Sequence, residues 1–322
     1  MKIFAAIAGI LGLAFLTALT AYYGFASVIQ AVVSSEWGTV IVVAARAVAL
    51  AAAGTAWWSL LTPMQRGPCI FVGLRFIREA INSLFPLAVV GGDVIGARLL
   101  VQFGLPASVA IASVLIDIFV QVVCLLIFVL AGLCILLSLT DTHQLAAGTI
   151  VSLAIGLPAV AGFFLVLNFG AFEPIVRWLT AFGERRQWAT LSHAADLGSR
   201  LQKIWQNRRG LSASFFIHLV GVFFGATEVW IALAFMGHTV SLAEAVAIES
   251  LGQGSRAAAF VLPGGLGVQD GTLIAVSAVF GIPPEAALAM ALIKRIPDLV
   301  LGLPSLLAWQ ALEGRRLLTR RK

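Results

Sequence analysis

Charge is what this chain has least of. Only 11% of its 322 residues are Asp, Glu, Lys or Arg, against roughly 25% in soluble domains. Apolar residues make up 60%, and the mean hydropathy is +1.01. A soluble protein of this size could not hide so much apolar side chain, because much of its surface must stay wet. A soluble fold is therefore excluded, and lipid must solvate most of the chain. Cysteine is scarce too: Cys69, Cys124 and Cys134 lie singly in apolar runs. An odd number without metal-ligand spacing argues against a disulfide framework and for small packed hydrophobes. His143, His193, His218 and His238 share no ligand spacing. There is no Walker loop, HExxH, CxxC or Ser/His/Asp order. No metal or cofactor is expected, nor is ATP-driven pumping by this chain alone.

What charge there is has an arrangement. The formal net charge is +6, with the basic residues gathered in a few loops and at the C-terminus. No aromatic–basic platform accompanies them, so nucleic acid is not an expected partner. Topology and anionic headgroups account for them better. Spans of about 20 apolar residues fall at 3–25, 37–61, 107–139, 145–167, 211–236 and 284–312. The first follows Met1-Lys2 and is too long for a signal-peptide core, so it reads as an uncleaved span. Two further apolar stretches, 70–104 and 243–281, are each interrupted by a Pro/Gly break. Such breaks are tolerated at membrane depth only inside protein or beside a wet cavity, so both read as re-entrant helical hairpins. With Lys2 cytoplasmic, Arg66, the stretch from Arg177 to Arg209, and the tail from Arg315 to Lys322 all fall inside. The outer loops 34–36 and 140–144 contain no Lys or Arg, which obeys the positive-inside rule. The expected location is a bacterial inner membrane, with both termini cytoplasmic.

An offset of 177 residues aligns the chain with itself. Pro86 meets Pro263, Asp93 meets Asp270, Phe103-Gly104 meets Phe280-Gly281 and Pro106 meets Pro283. Three crossings per unit turn the second unit upside down, as in many secondary transporters. The expected fold is an all-α polytopic membrane protein of about six transmembrane helices plus two re-entrant hairpins in an inverted repeat. Repeat 1 covers about 1–139 and repeat 2 about 145–312, in a single membrane domain. A cytoplasmic insertion at about 170–210 carries an apolar stripe (Trp188, Leu191, Ala194, Ala195, Leu201 and Trp205), with Gly198 in its middle. It reads as an amphipathic helix lying on an anionic membrane surface.

The runs Asn82-Ser83-Leu84-Phe85-Pro86 to Gly91-Gly92-Asp93 and Val261-Leu262-Pro263-Gly264-Gly265-Leu266-Gly267-Val268-Gln269-Asp270 resemble a known family. It is the membrane, or flippase, region of bacterial lysylphosphatidylglycerol synthases and its stand-alone relatives, including hopanoid-associated HpnL-type proteins. Gly281, Ala291 and Arg295 add to the likeness, which spans about 37–307. The resemblance implies a polytopic bundle with two re-entrant hairpins that moves lipid between leaflets. No soluble acyltransferase-like domain follows Leu312, so aminoacyl transfer is not expected here.

Ionisable groups at bilayer depth cost several kcal/mol unless paired or hydrated, and by default they mark a pathway. Arg75, Arg78, Glu79 and Asn82 share one face of the first hairpin by i, i+3 and i+4 spacing. Arg75 can pair with Glu79, leaving Arg78 and Asn82 for a headgroup, because a guanidinium suits phosphate or carboxylate. Asp93, after Gly91-Gly92, reads as the cap of the next half-helix, with Arg98 beyond it. Glu249 and Arg256 share a face of the second hairpin. Pro263, Gly264, Gly265 and Gly267 form its break, and Asp270 repeats the cap. Lys294, Arg295 and Asp298 follow, Asp298 being able to pair with either base. Arg46, Asp117 and Glu228 lie mid-span as partners for these charges. The alternative reading is structural ion pairing throughout: capping explains Asp93 and Asp270, whereas Arg78, Glu249 and Arg256 sit near the midplane breaks.

The resulting expectation is a lipid translocator for a hopanoid or phospholipid-type substrate, not an enzyme. Its expected partners are anionic or zwitterionic membrane lipids and lipid-synthesis enzymes. A membrane subunit or enzyme of lipid synthesis, and a scaffold for such a complex, are the alternatives. The topology is tested by reporter insertion: a phosphatase placed in 34–36 or 140–144 should be active outside the cell, and one fused after Lys322 inactive.

Overall fold

A computed structural model describes residues 37–61, 67–84, 91–139, 194–258 and 267–319. The expected spans at 3–25 and 145–167, Trp188, Leu191, Pro86, Pro263, Gly264 and Gly265 lie outside the described residues. The described chain is all helical: α1 (Trp37–Ser59), α2 (Pro68–Leu84), α3 (Gly91–Gln102), α4 (Ala107–Leu139), α5 (Ala194–Gln206), α6 (Arg208–Phe235), α7 (Leu242–Ala258), α8 (Val268–Val279), α9 (Pro284–Ile293) and α10 (Ile296–Thr319).

Three of these, α1, α4 and α6, are long and apolar enough to cross a membrane. With its 33 residues, α4 runs about 50 Å at 1.5 Å per residue, beyond a ~30 Å hydrocarbon core. Outward faces are apolar. Along α10, Leu299, Leu303 and Leu307 form an exposed stripe at i, i+4 and i+8, the spacing of one helical face. The buried set includes Arg78, Asp117, Glu228, Glu249 and Lys294. Apolar outside and charged inside is the arrangement a lipid solvent demands.

Both Pro/Gly-broken stretches are helical pairs. In the first, Gly96 of α3 faces the Arg78 side chain of α2, where a Cβ would come within 2.7 Å of its Cγ and Cδ. In the second, Gly252 of α7 leaves 2.7 Å between such a Cβ and Leu273 of α8. Each helix thus folds back on its predecessor at a glycine. The turns that follow α3 and α8 bond alike. Leu105 N–H donates to the Leu100 carbonyl and Ile282 N–H to that of Ser277, positions 177 apart. Gly104 and Gly281, the matched glycines, have φ of 92° and 74°, a region closed to most L side chains.

Residues 284–312, expected as one span, are two helices. Lys294 and Arg295 form a turn between α9 and α10. Pro297 causes it: the residue has no N–H for the Ile293 carbonyl and its ring clashes there. The break aims two adjacent cations in different directions.

The insertion also departs from expectation. The stripe of α5 is covered by protein: Leu201, Ile204 and Trp205 are buried, and Trp205 stacks edge-on against Phe119 of α4 at 5.7 Å. Ser108 at the start of α4 donates to the Asp196 carboxylate. That bond, with a second from Arg200, holds the carboxyl below its ordinary range. Gly198 does not interrupt α5. Asn207 ends it and caps α6, accepting from Gly210 N–H at 3.2 Å.

A close crossing joins α1 to the first hairpin, where a Cβ on Gly54 would lie 2.5 Å from the Val72 Cα. Backbone cannot yield as a side-chain tip can, and overpacking costs about 1–3 kcal/mol or more. Gly54→Leu is therefore expected to lower the thermal unfolding temperature of the purified protein by several degrees, with Gly73→Leu, which faces open space, as the neutral control.

Candidate functional site

The charged faces meet in a cavity of about 490 Å³ between α2 and α7, walled by α1, α4 and α6. Its lining divides in two. Arg46, Arg75, Arg78, Arg256, Glu79, Asp93, Glu228 and Glu249 form a polar side, four cations against four carboxylates. Ile118, Val122, Leu125, Phe128, Ile217 and Val222 form an apolar side on α4 and α6. Gly221 and Gly225 of α6 keep the space open, since Gly221 has no neighbour within 4 Å of a would-be Cβ.

Arg78 anchors one end. Its side chain is 1% exposed. Its Nε donates to Asp93 Oδ1 at 3.0 Å and its Nη1 to Asp117 Oδ2 at 2.8 Å. The guanidinium also lies 4.5 Å from the Trp57 ring centroid. Arg78 was expected to face a headgroup; its fork is instead occupied by two carboxylates. Asn82 is likewise engaged, accepting from Gly92 N–H at 2.8 Å. Asn82 therefore caps α3, and Asp93, the expected cap, is drawn to Arg78 because a buried cation competes better for a carboxylate than a neutral N–H does. Arg75 pairs with Glu79 at 3.3 Å, as the i, i+4 spacing implied.

Asp117 collects more partners. Gln121 Nε2 lies at 2.8 Å and His218 Nε2 at 3.0 Å. Neither was among the sequence candidates, yet the signal was present. His218, Gly221, Gly225 and Glu228 recur at i, i+3, i+7 and i+10 as one small and polar stripe on an otherwise apolar span. All four line the cavity.

A second network closes the other side. Glu228 bonds Arg46 at 3.0 Å and Lys294 at 3.2 Å, while Lys294 reaches Glu249 at 2.7 Å. Gln253 donates to Glu249 at 2.9 Å. Arg295 turns the other way, with Nη2 2.8 Å from Asp270 Oδ2, and the same carboxylate accepts from Gly267 N–H at 3.3 Å. Asp270 thus caps α8 and holds a cation together. Asp298 pairs with neither Lys294 nor Arg295, both of which are taken elsewhere. Arg98 lies apart from the cavity, half-exposed and bonded to Glu313 at 2.9 Å.

Arg256 stands out against this background. It lines the cavity, and among the described residues it forms neither an ion pair nor a hydrogen bond. Every other cation on that lining has a carboxylate within 4.0 Å. No group of three or more metal-ligating side chains occurs among the described residues.

These features define an all-helical membrane protein with a cavity that joins a charged side to an apolar one, and in which Arg256 has no ion pair among the described residues. The chain belongs to the lysylphosphatidylglycerol synthase TM region family, which it matches over residues 3–304. No curated protein and no solved structure matches it. The family is a membrane region of synthase-like proteins, consistent with a lipid-related membrane function.

Removing one partner of a buried pair leaves an uncompensated charge and costs about 3–5 kcal/mol. Asp117→Ala should therefore destabilise the protein strongly in a thermal unfolding assay, whereas Arg98→Ala, at an exposed pair worth about 1 kcal/mol or less, should leave the melting temperature nearly unchanged.

Proposed function

We propose that this protein translocates a lipid across the inner membrane, its N- and C-termini cytoplasmic, by lodging the headgroup in the charged cavity. The observation that carries the reading is Arg256, a cation facing the cavity without an ion pair or hydrogen bond among the described residues. A guanidinium left unsatisfied at bilayer depth is costly, and an anionic headgroup is the partner that would satisfy it. The two-sided lining fits an amphiphile: polar groups meet the hairpins and the first part of the tail meets α4 and α6. Arg78, saturated by Asp93 and Asp117, sets the shape of the site and does not bind the ligand directly. Glu249 and Glu79 balance the cavity, so the headgroup enters a nearly neutral environment and can leave it again. The lipid is of phospholipid or hopanoid type, and the protein acts as a transporter, without bond-making chemistry.

Family membership favours a second reading, a membrane subunit serving a lipid-synthesis enzyme. Under it Arg256 would matter only through assembly with that partner.

The test is lipid mass spectrometry on purified wild type and Arg256→Ala, followed by leaflet exchange in liposomes with the enriched lipid. A hydrogen bond to a charged group contributes about 1.5–3 kcal/mol. The variant should accordingly keep its fold, lose the co-purifying lipid and slow exchange by roughly tenfold or more. Unaltered exchange in the variant would defeat the translocation site and leave the subunit reading.

A further inference from the structure

Behind Arg256 lies a second, smaller cavity of about 190 Å³, between the first hairpin, α8 and the start of α10. Arg46 and Arg256 line both cavities, so they are the wall between them. The two differ in lining. The larger has four cations and four carboxylates. The smaller is lined by Arg46, Arg256, Lys294 and Arg295 with Asp270 and Asp298, while Glu228 and Glu249, the carboxylates paired with Arg46 and Lys294, face the larger one. It is also rich in idle donors. Among the described residues, Arg46 Nε, Arg295 Nε and Ser83 Oγ are buried without a hydrogen-bond partner, and all three residues are in its wall. Native proteins rarely leave buried polar atoms unpaired, and each such case asks for a missing partner.

Asp298 completes the picture. It lines the smaller cavity and, like that of Arg256, its side chain has neither ion pair nor hydrogen bond among the described residues. Among the described residues these are the two charged side chains of the linings without a close partner; they are of opposite sign, both border this cavity, and each feels the other's charge at longer range. An anion entering would find a guanidinium with no ion pair among the described residues, together with N–H and O–H donors that lack a hydrogen bond there. Asp298 would oppose it just enough to keep the site from becoming a trap.

We infer that the smaller cavity is a second binding station, for a phosphate group, and that the headgroup is passed to it from the larger cavity across Arg46 and Arg256. Phosphate is the anion whose several acceptor oxygens match a guanidinium fork together with further N–H and O–H donors. A carboxylate offers only two oxygens. The handover rests on the translocation reading; the binding site does not. Arg256 keeps contact with the phosphate during transfer because one side chain borders both spaces, so the charge is never left alone at bilayer depth.

Two variants probe this site without breaking any observed bond. Ser83→Ala removes a hydroxyl that bonds nothing among the described residues, and Asp298→Asn removes a charge with no ion pair there, although it lies in the field of Arg46 and Arg256. Unfolding temperatures like that of wild type confirm that neither acts through folding. The full-length protein, in an uncharged maltoside detergent, is titrated calorimetrically with dihexanoyl phosphatidylglycerol below its micellar concentration, and separately with inorganic phosphate. The expected result is weaker lipid binding in Ser83→Ala, by roughly threefold to tenfold for one lost hydrogen bond. Asp298→Asn should bind about tenfold tighter, because a like charge nearby is gone. Arg256→Ala should lose binding.

If Arg256→Ala loses binding while Ser83→Ala and Asp298→Asn match the wild type, the headgroup sits in the larger cavity alone. The second station is then overturned and the translocation reading stands. If Arg256→Ala binds as wild type does, both fall. If inorganic phosphate shows the whole pattern and the lipid shows none of it, the anion site stands, its ligand is free phosphate, and the handover of a lipid headgroup is overturned.

Discussion

The burial of one guanidinium organises half of this molecule. Arg78 sits on α2 and takes a carboxylate from α3 and another from α4. It lies over an indole from α1, and through Asp117 it is joined to His218 of α6. Five helices therefore meet through a single side chain. An unpaired charge there would be too costly to tolerate, so none of the five can shift far without leaving a partner stranded. The glycines opposite Arg78 belong to the same constraint: Gly92 and Gly96 give way so that the side chain and its backbone can pass. A structural role of this kind accounts for a residue that looked like a headgroup ligand by type and position.

The second hairpin answers with the signs reversed. In the first half a cation on the entering helix, Arg78, meets an acid on the following span, Asp117. In the second half an acid on the entering helix, Glu249, meets a cation after the following helix, Lys294. Asp117 and Lys294 are 177 residues apart, the offset that superposes the two halves of the sequence. Arg46 and Glu228 tie α1 to α6 across the middle. The result is a bundle cross-linked by buried ion pairs, in which Arg256 and Asp298 have no ion pair among the described residues. Rigid pairing around a few free charges is what a binding cavity in lipid requires, since preorganised groups cost little to align when the ligand arrives.

Much of this was legible before any coordinates. Hydropathy located α1 and α4 closely, because a helix solvated by lipid must be apolar on nearly every side. The i, i+4 pair Arg75–Glu79 could be written down from spacing, since both residues belong to one helix. Arg46, Asp117 and Glu228 were expected as partners for the hairpin charges, since an ionisable group inside an apolar span must be paired with something. Asp117 does meet Arg78, but Arg46 and Glu228 meet each other, and Glu228 also meets Lys294. Arg256 is a sequence candidate that lines the cavity, but spacing alone could not show that it lacks an ion pair among the described residues. The break at Lys294-Arg295 was readable from Pro297 but was outweighed by the apolar run on either side. His218 was passed over because it was judged for metal spacing instead of for the small and polar face it shares with Glu228.

The sequence by itself determined that lipid is the solvent, where the helices form and break, and which residue types must be buried at a cost. These are properties of single segments, set by hydrogen-bonding requirements and transfer free energy along a continuous stretch of chain. Only the tertiary structure decided who pairs with whom. Asp93 could cap α3 or neutralise Arg78, and Asp298 could hold Lys294 or stand free. Either choice satisfies the local chain, and the outcome depends on which helices approach within about 3 Å of each other. The same approach turned the α5 stripe inward onto α4 and, among the described residues, left Arg256 without an ion pair while the other cavity cations have one. Distances between segments far apart in sequence set those choices.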